Sequence, residues 1–531
     1  MTFLKRVAVV LLFMSLSAVS AWGEDASISE SIKGILGEGR RVAGQELRTL
    51  PLLQKFYETR ESRPVWLKGD SPTSLAKNLV GAINLSTKEG LSPNLYRIEE
   101  IRKLMEDKSD PAELELLLTD AFFSMGFHYS YGAVDPDTLR IRWFEPEAAE
   151  KLRIVLDTAI NTNNAEGPLK SLLPANKAYA DLKKVLVKYE EMAPNVKWPK
   201  IDSLSKGQKI NAGDEDRRIP AIRERLAKKA PQGQGINPDI YDDDLEQAVI
   251  QFQRENGLLD DGVIGYRTVD QMNVSIEDRI CQIRVGLDRL RALSRVFDEK
   301  RRAVVNIPAF WLEVYDNGEL ALDMKVIAGM VKRKTPTLSS EIDHLIFSPK
   351  WYVPDTILFE DKLPHIKKDP SYLRKHGMRV YEKGGGEIDP ETVDWTQFQS
   401  KHIPYRVVQG SGDLNALGHV KFKFPNRYDV YLHDTPDKRL FKNAQRSFSS
   451  GCIRIEKPVE MASLLLKDKP EWNEEKIKDA MNRSHEQFVP LSRTMPIHII
   501  YLTAWVDKSG TTQFREDIYG RDSIYKKLLC D

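Results

Sequence analysis

Apolar residues along this chain change period as they go, and the changes mark out its parts. From residue 24 to about 205 the recurrence is helical, clearest in Leu47, Leu50 and Leu53 and again from Leu114 to Tyr131. Residues 190–218 break that pattern with Pro194, Pro199, Lys206-Gly207 and the polar run Asn211-Ala212-Gly213-Asp214, which predicts a connector. In residues 219–273, Ile219, Ile222 and Leu226, then Leu245, Ala248, Val249 and Phe252, fall on one face of two short helices. Gly257 suits the left-handed end of the second, Asp260-Asp261-Gly262 makes a turn, and Gly265-Tyr266-Arg267-Thr268 opens a third. Residues 275–300 predict one further helix with an apolar stripe of Ile276, Ile280, Ile283, Leu287 and Leu290. Its Arg and Asp residues read as the solvated face of a strut joining two modules.

From Arg302 the period becomes that of strands. Ala303 to Ile307 and Phe310 to Tyr315 lead into Asn317-Gly318, a favoured hairpin turn, and then Leu320 to Ala328. Lys332-Arg333-Lys334 reads as a charged hairpin tip. The stretch 351–405 is too long for a plain loop and carries Pro354, Pro364, Pro370, Gly384-Gly385-Gly386 and Trp395, which predicts an insertion. Strands resume from Tyr405. Helices follow at Val459 to Leu466 and Glu471 to Met481, and the last strand runs from Ile497 to Trp505, with His498 inside it as a structural residue. Residues 506–531 read as a surface tail. The expected fold is multidomain α+β: a helical N-terminal domain (24–205), a three-helix module (219–273), the strut, and a mainly-β domain (302–505) interrupted by the insertion.

Charge adds little beyond exclusion. The 79 basic and 78 acidic residues give a net charge of +1, so the balance offers no electrostatic footprint for nucleic acid. The first residues say more. Lys5-Arg6 precede an apolar run from Val7 to Val19, followed by the small residues Ala18, Ser20, Ala21 and Gly23. That is the form of a secretory signal over residues 1–23, too short for a comfortable membrane span. It predicts export, with membrane attachment only if the signal stays uncleaved. Cys281, Cys452 and Cys530 make an odd count, so an exported chain keeps at least one thiol out of intramolecular disulfides. Cys281 and Cys530 are available to pair, although nothing in the sequence brings them together.

The candidate chemistry lies at Ser449-Ser450-Gly451-Cys452-Ile453-Arg454, with His433 nineteen positions before the cysteine. Gly451 lets the backbone turn sharply and lets a carbonyl approach. Val430-Tyr431-Leu432-His433 predicts a buried strand ending at Asp434-Thr435-Pro436, so an imidazole can sit beside a thiol. An adjacent imidazolium would lower the cysteine's pKa and give a thiolate nucleophile. A phosphate-binding Gly-rich loop, H-E-x-x-H and C-x-x-C are all absent from the sequence. His419 and His433 lack local zinc-ligand spacing, so no metal and no cofactor are expected.

This corner resembles the signature of the YkuD-type L,D-transpeptidases. The string Asn415-Ala416-Leu417-Gly418-His419-Val420-Lys421-Phe422, continuing through Phe424-Pro425-Asn426 to Tyr431-Leu432-His433-Asp434-Thr435-Pro436, resembles the large periplasmic branch typified by the YcbB enzymes. Ser450 departs from the commonest family form, which has a second His there. Phe56-Tyr57, Arg60, Pro64-Val65-Trp66 and Gly90-Leu91-Ser92-Pro93 with Tyr96 resemble that branch's N-terminal helical region. Ala248 to Gln253, Gly257-Leu258, Asp261 to Gly265 and Thr268 resemble the three-helix peptidoglycan-binding domain.

The resemblance implies a periplasmic enzyme acting on peptidoglycan stem peptides, with a capping insertion over its site. Cys452 would attack the carbonyl of the third stem residue, D-alanine would leave, and the thioester would pass to a second diaminopimelate amine as a 3→3 cross-link. His433 would be the base, amides near Gly451 and Cys452 the oxyanion donors, and Arg454 a carboxylate ligand or an internal ion pair. Tyr431 and Trp351 would wall the donor pocket, and Ser450 would position the corner. Other wall-synthesis enzymes are conceivable partners. With water as acceptor the same cysteine makes a carboxypeptidase or endopeptidase, and with a protein lysine it attaches protein to the wall. A non-catalytic wall-binding protein is the remaining alternative.

Overall fold

The computed structural model describes residues 25–39, 41–42, 44–134, 146–227, 237–400 and 402–530, so the signal expected at 1–23 lies outside the described residues. The N-terminal part is built around α1 (Pro111–Tyr131), which is apolar on every side and buried almost throughout. A helix of that composition needs a shell, and surrounding helices supply Leu53, Phe56, Leu79, Ile101 and Leu152. α2 (Lys177–Met192) leads out of this bundle.

The three-helix module follows: α3 (Ile219–Arg225), α4 (Asp243–Glu255) and α5 (Tyr266–Met272). Its core of Ile219, Leu245, Val249, Phe252 and Val269 also takes in Ile201, Leu204 and Ile210. The stretch expected to be a connector is therefore partly this module's wall.

α6 (Ile276–Ala292) is where the structure departs furthest from expectation. Four of its charged residues do not face solvent: Arg279, Asp288, Arg289 and Arg291 are all buried. The helix sits at the meeting point of the parts, and each charge reaches a different one. Asp288 accepts from the Ala133 and Val134 amides at the end of the helical domain and from Arg291, which also donates to the Glu89 carbonyl. Arg279 donates to Asn256 of the three-helix module. Arg289 pairs with Asp522 at 2.6 Å. An apolar stripe with charges between its members reads as amphipathic when neighbours are unknown; here, beyond the exposed Glu277 and Asp278 of the first turn, the charged side is packed as well.

The β domain runs β1 (Arg302–Asn306), β2 (Trp311–Asp316), β3 (Glu319–Gly329), β4 (Leu338–Phe347), β5 (Trp351–Tyr352), β6 (Met378–Glu382), β7 (Glu387–Ile388), β8 (Tyr405–Gln409), β9 (Val420–Lys423), β10 (Leu432–His433), β11 (Ser447–Ser449), β12 (Ile453–Ile455) and β13 (Gln487–Ile500). One nine-stranded sheet has the order β11-β3-β12-β10-β9-β4-β13-β1-β2, and β2 also pairs with β3. That pairing closes the sheet into a barrel, with β11 hung on the far end of β3 at Ala328 and Gly329. Val305, Leu312, Met324, Leu345, Phe422, Leu432, Ile453 and Ile497 fill the interior.

The insertion folds as a unit, with β5, β6, β7 and β8 in a separate sheet and Leu358, Leu363, Val380, Trp395 and Val407 in its core. That core reaches Leu417, beyond the expected limit of 405. The expected surface tail is instead docked. After β14 (Ala504–Val506) and β15 (Thr512–Phe514), α7 (Asp522–Leu529) buries Tyr525 and Leu529 in the helical domain's core. Cys530 is bonded to Cys281 of α6, closing a loop of sequence separation 249. Tail and barrel are thus tied to the same helix.

Removing Asp288 leaves Arg291 buried without its partner, so Asp288→Ala should lower stability by about 3–5 kcal/mol, read as a fall in midpoint in chemical or thermal unfolding. Glu115 of α1 supplies a second expectation. Burial pushes its carboxyl up to about 7, held back by the Val65 and Trp66 amides and the Tyr57 hydroxyl that donate to it. Between the ordinary 4.5 and this value the unfolded chain loses the proton and the fold retains it, so stability falls as pH rises across that window. The fall should be about 3 kcal/mol, should level off above pH 7, and should be largely absent in Glu115→Gln.

Candidate active site

β10 and β12 run parallel, with Leu432 opposite Ile453 and His433 opposite Arg454. Side chains alternate across a strand, and Leu432, Ile453 and Ile455 point into the barrel core. His433 and Arg454 therefore share the other face. One alternation earlier, Tyr431 and Cys452 belong to that same face, and the Ile453 amide donating to the Tyr431 carbonyl at 3.1 Å keeps the two segments together. The Tyr431 and His433 rings stand edge to face, 5.8 Å between centroids.

The turn into Cys452 is held from several sides. Gly451 has φ +120°, a conformation that residues with a Cβ rarely adopt. Ser449 Oγ accepts the Gly451 amide at 3.2 Å and donates to the Cys452 carbonyl. Thr335 Oγ1 donates to the Gly451 carbonyl at 2.8 Å and accepts from the Gly329 amide. Met330 N–H donates to the Ser449 carbonyl. The Gly451 amide is thus occupied, and so is that of Ile453. Among the described residues, the Ser450 and Cys452 N–H groups are the amides of this corner without a hydrogen-bond partner.

Cys452 is the free cysteine and is half-buried. Its Sγ lies 3.9 Å from the Asp429 carbonyl. Burial pushes the thiol up, while the backbone and hydroxyl of Tyr431 pull it back by favouring the thiolate. His433 is buried, and its Nδ1 stands 2.6 Å from the Asp434 carbonyl. A carbonyl can only accept, so Nδ1 carries the proton of the neutral ring. Burial, and then the Arg454 charge, push the imidazole down to about 3, against the pull of the Asp434 and Leu417 carbonyls. Both shifts run against a standing thiolate–imidazolium pair. Desolvation thus opposes the thiolate expected from the sequence, by raising the thiol and lowering the imidazole.

Arg454 is loosely held: its Nη1 is 3.8 Å from Asp437, and its buried Nε has no partner among the described residues. Ser450 Oγ accepts from Arg333 at 2.8 Å. Trp351 lies in the core of the insertion, with the Lys362 ammonium 5.7 Å from its ring, and Tyr431 packs against that same core. His419 binds the Met481 carbonyl through Nδ1, and His498 is held by Ser339 and Glu299.

Sequence reasoning missed Thr335, Asp434 and Arg333. Asp434 Oδ2 accepts the His419 amide at 2.9 Å while its own carbonyl holds His433. Arg333 is no free hairpin tip, since it reaches both Ser450 and the carboxylates of Glu360 and Asp361. The only signal available for it was a basic triplet inside a strand hairpin.

Three stretches of the chain match family models. Residues 300–472 match the YkuD model, described as an L,D-transpeptidase catalytic domain, residues 216–272 match a "Putative peptidoglycan binding domain", and residues 51–186 match a scaffold domain. A Haemophilus influenzae protein named "Putative L,D-transpeptidase" is 36% identical over 249 residues, which is 47% of this chain. The match spans 50% of that relative's length. Among solved structures, an L,D-transpeptidase from Mycobacterium smegmatis aligns with 38% of this chain and 58% of its own, at 13% identity and a TM-score of 0.18. One from Xylanimonas cellulosilytica aligns with 56% of this chain and 100% of its own, at 12% identity and a TM-score of 0.19. At those scores the architecture rests on the chain's own strand pairing.

The direction of the Cys452 shift predicts a pH profile. Alkylation by iodoacetamide should be slow at pH 7 and should keep rising above the ordinary thiol range near 9. Tyr431→Phe, which removes the hydroxyl favouring the thiolate, should slow it further at every pH below the plateau; an unchanged or faster rate would show that the hydroxyl does not act on the thiol.

Proposed function

We propose that this protein is a peptidoglycan L,D-transpeptidase that forms 3→3 cross-links between diaminopimelate residues through a thioester on Cys452. What carries the reading is the shared face of β10 and β12, where a free cysteine, an oriented imidazole, a tyrosine hydroxyl and an arginine converge inside the segment that matches the catalytic domain.

Sγ attacks the carbonyl carbon of the third stem residue as His433 Nε2 takes the thiol proton. A neutral base suits this step, because the proton moves only as the S–C bond forms. The Cys452 amide is placed to donate to the oxyanion, and losing such a donor typically lowers turnover by roughly 10²–10³. The C–N bond breaks, Nε2 returns the proton to the departing D-alanine amine, and the thioester remains. In the second half an amine of another stem attacks the thioester. Nε2 accepts its proton, the C–S bond breaks, and the proton passes to Sγ, which restores the thiol. With water in place of the amine, the same steps release a free tripeptide carboxylate.

Arg454, with an unsatisfied Nε and only a distant carboxylate partner, is suited to a stem carboxylate. The module at 219–273 orients the catalytic barrel, since Arg515 donates to the Glu255 carbonyl and Arg279 to Asn256. The disulfide favours an oxidising compartment, in keeping with export to the periplasm. Among the described residues no helix is long and apolar enough to cross a membrane.

The test is mass spectrometry of the purified protein with a disaccharide-tetrapeptide. The expected result is an adduct on Cys452 with loss of D-alanine, then a 3→3 dimer. Cys452→Ala should abolish the adduct, and His433→Gln should slow its formation by about 10²–10⁴. Tripeptide without dimer, in the presence of an acceptor stem, would move the activity to hydrolysis. Retention on sacculi without any adduct would leave a binding protein.

A further inference from the structure

The insertion is attached to the barrel at two places of different character. On one side are its chain connections, where Ser411 Oγ donates to the Ser348 carbonyl and Asn415 Nδ2 to the Pro349 carbonyl. Residues in left-handed or glycine-only conformations cluster there: Ser348 at φ +45°, Gly412 at +125° and Gly418 at +61°. On the other side, Arg333 from the β3–β4 loop meets the wide π-type turn Leu358–Lys362. Its Nη1 lies 2.5 Å from Asp361 Oδ2, and its Nη2 lies 2.8 Å from Asp361 Oδ1 and 2.7 Å from Glu360 Oε2. Neighbours in an α-helix point about 100° apart, yet both carboxylates here reach one guanidinium. π-type turns occur frequently at functional sites.

The same Nη1 also donates to Ser450 Oγ, two residues before the nucleophile. The loop carrying Arg333 includes Thr335, which holds the Gly451 carbonyl, and Lys334, which donates to the Tyr519 carbonyl. Arg333 therefore stands on the rigid frame of the nucleophile turn and reaches out to the insertion. The guanidinium is 14% exposed, whereas Glu360 and Asp361 are 41% and 42% exposed. Carboxylates that open to water form pairs that can part and re-form, while the arginine end stays fixed.

We propose that Arg333 is a positioning residue that latches the insertion to the nucleophile turn, so that the acyl-enzyme is shielded from water and kept for an amine acceptor. The water-shielding part rests on the function proposed above. The acceptor's identity is then set partly by this latch: while it is closed, water is excluded from the thioester, and while it is open, hydrolysis competes. A salt-sensitive surface pair makes the partition between the two depend on ionic strength.

The test uses the full-length protein with a disaccharide-tetrapeptide donor and a disaccharide-tripeptide acceptor. The ratio of released tripeptide to 3→3 dimer is measured, with amide hydrogen exchange across residues 355–368 as an independent readout. Glu360→Gln/Asp361→Asn changes only half-exposed positions and leaves the Arg333–Ser450 contact in place. It should raise the hydrolysis-to-transfer ratio about 5- to 10-fold and speed exchange in that segment, without slowing formation of the Cys452 adduct. Raised salt should move the wild type the same way, and the reversed set Arg333→Glu/Glu360→Arg/Asp361→Arg should restore both readouts towards wild type. An unchanged ratio overturns the proposal, as does an exchange rate indifferent to the substitutions. A wild type that forms no adduct but whose exchange responds as expected sinks the proposed function and its water-shielding corollary, and leaves the latch itself supported.

Discussion

A buried charge must be answered by a partner, and α6 carries four of them. Taking an ion out of water costs several kcal/mol unless hydrogen bonds and an opposite charge compensate it. Asp288 and Arg291 are answered by the end of the helical domain, Arg279 by the three-helix module, and Arg289 by Asp522 in the docked C-terminal segment. None of these parts can move away without stranding a charge. A greasy joint would hold as firmly and would tolerate sliding. A joint of directional hydrogen bonds accepts one register, and through Gln282, which donates to the Thr503 and Arg515 carbonyls, that register is passed to the end of the barrel.

From there the order reaches Cys452 through packing. Tyr519 follows Asp517 and precedes Asp522. Its hydroxyl donates to the Gly329 carbonyl and accepts from the Thr335 amide, and Thr335 holds Gly451. The site is stiff on this side. Its electrostatics suit a reaction in which charge is made only when needed: a thiol raised by burial, an imidazole lowered by burial and by Arg454, and an unoccupied Cys452 amide. A standing thiolate would be open to oxidation; a neutral thiol is less exposed to that loss.

The parts of this molecule visible in the sequence were those with local cause. Helical period in 24–205 and 219–273, the Asn317-Gly318 turn, and the Gly-Cys corner with its histidine all follow from residues close along the chain. What stayed hidden depends on distant partners. The arginines of α6 looked solvated because their partners lie on other elements, up to 233 residues away. The tail looked loose because Tyr525 and Leu529 are covered by the helical domain. Arg333 looked like a loop tip because its carboxylates belong to an insertion that begins after the next strand. The histidine's partner, the Asp434 carbonyl, is a backbone atom and leaves no mark on residue identity.

The cysteine arrangement bears on how the chain reaches this state. Three thiols allow three pairings, and two of them consume Cys452. In chain order Cys281 and Cys452 both precede Cys530, so in a chain that oxidises as it emerges the damaging pair is available first. What sets the Cys452 thiol apart is the barrel: with β10 and β12 paired, Cys452 is held on their outer face while Cys281 is turned into the seam that α7 closes. Strand pairing that precedes oxidation would therefore keep Cys452 out of a disulfide. The cysteine that arrives last decides which thiol is spared.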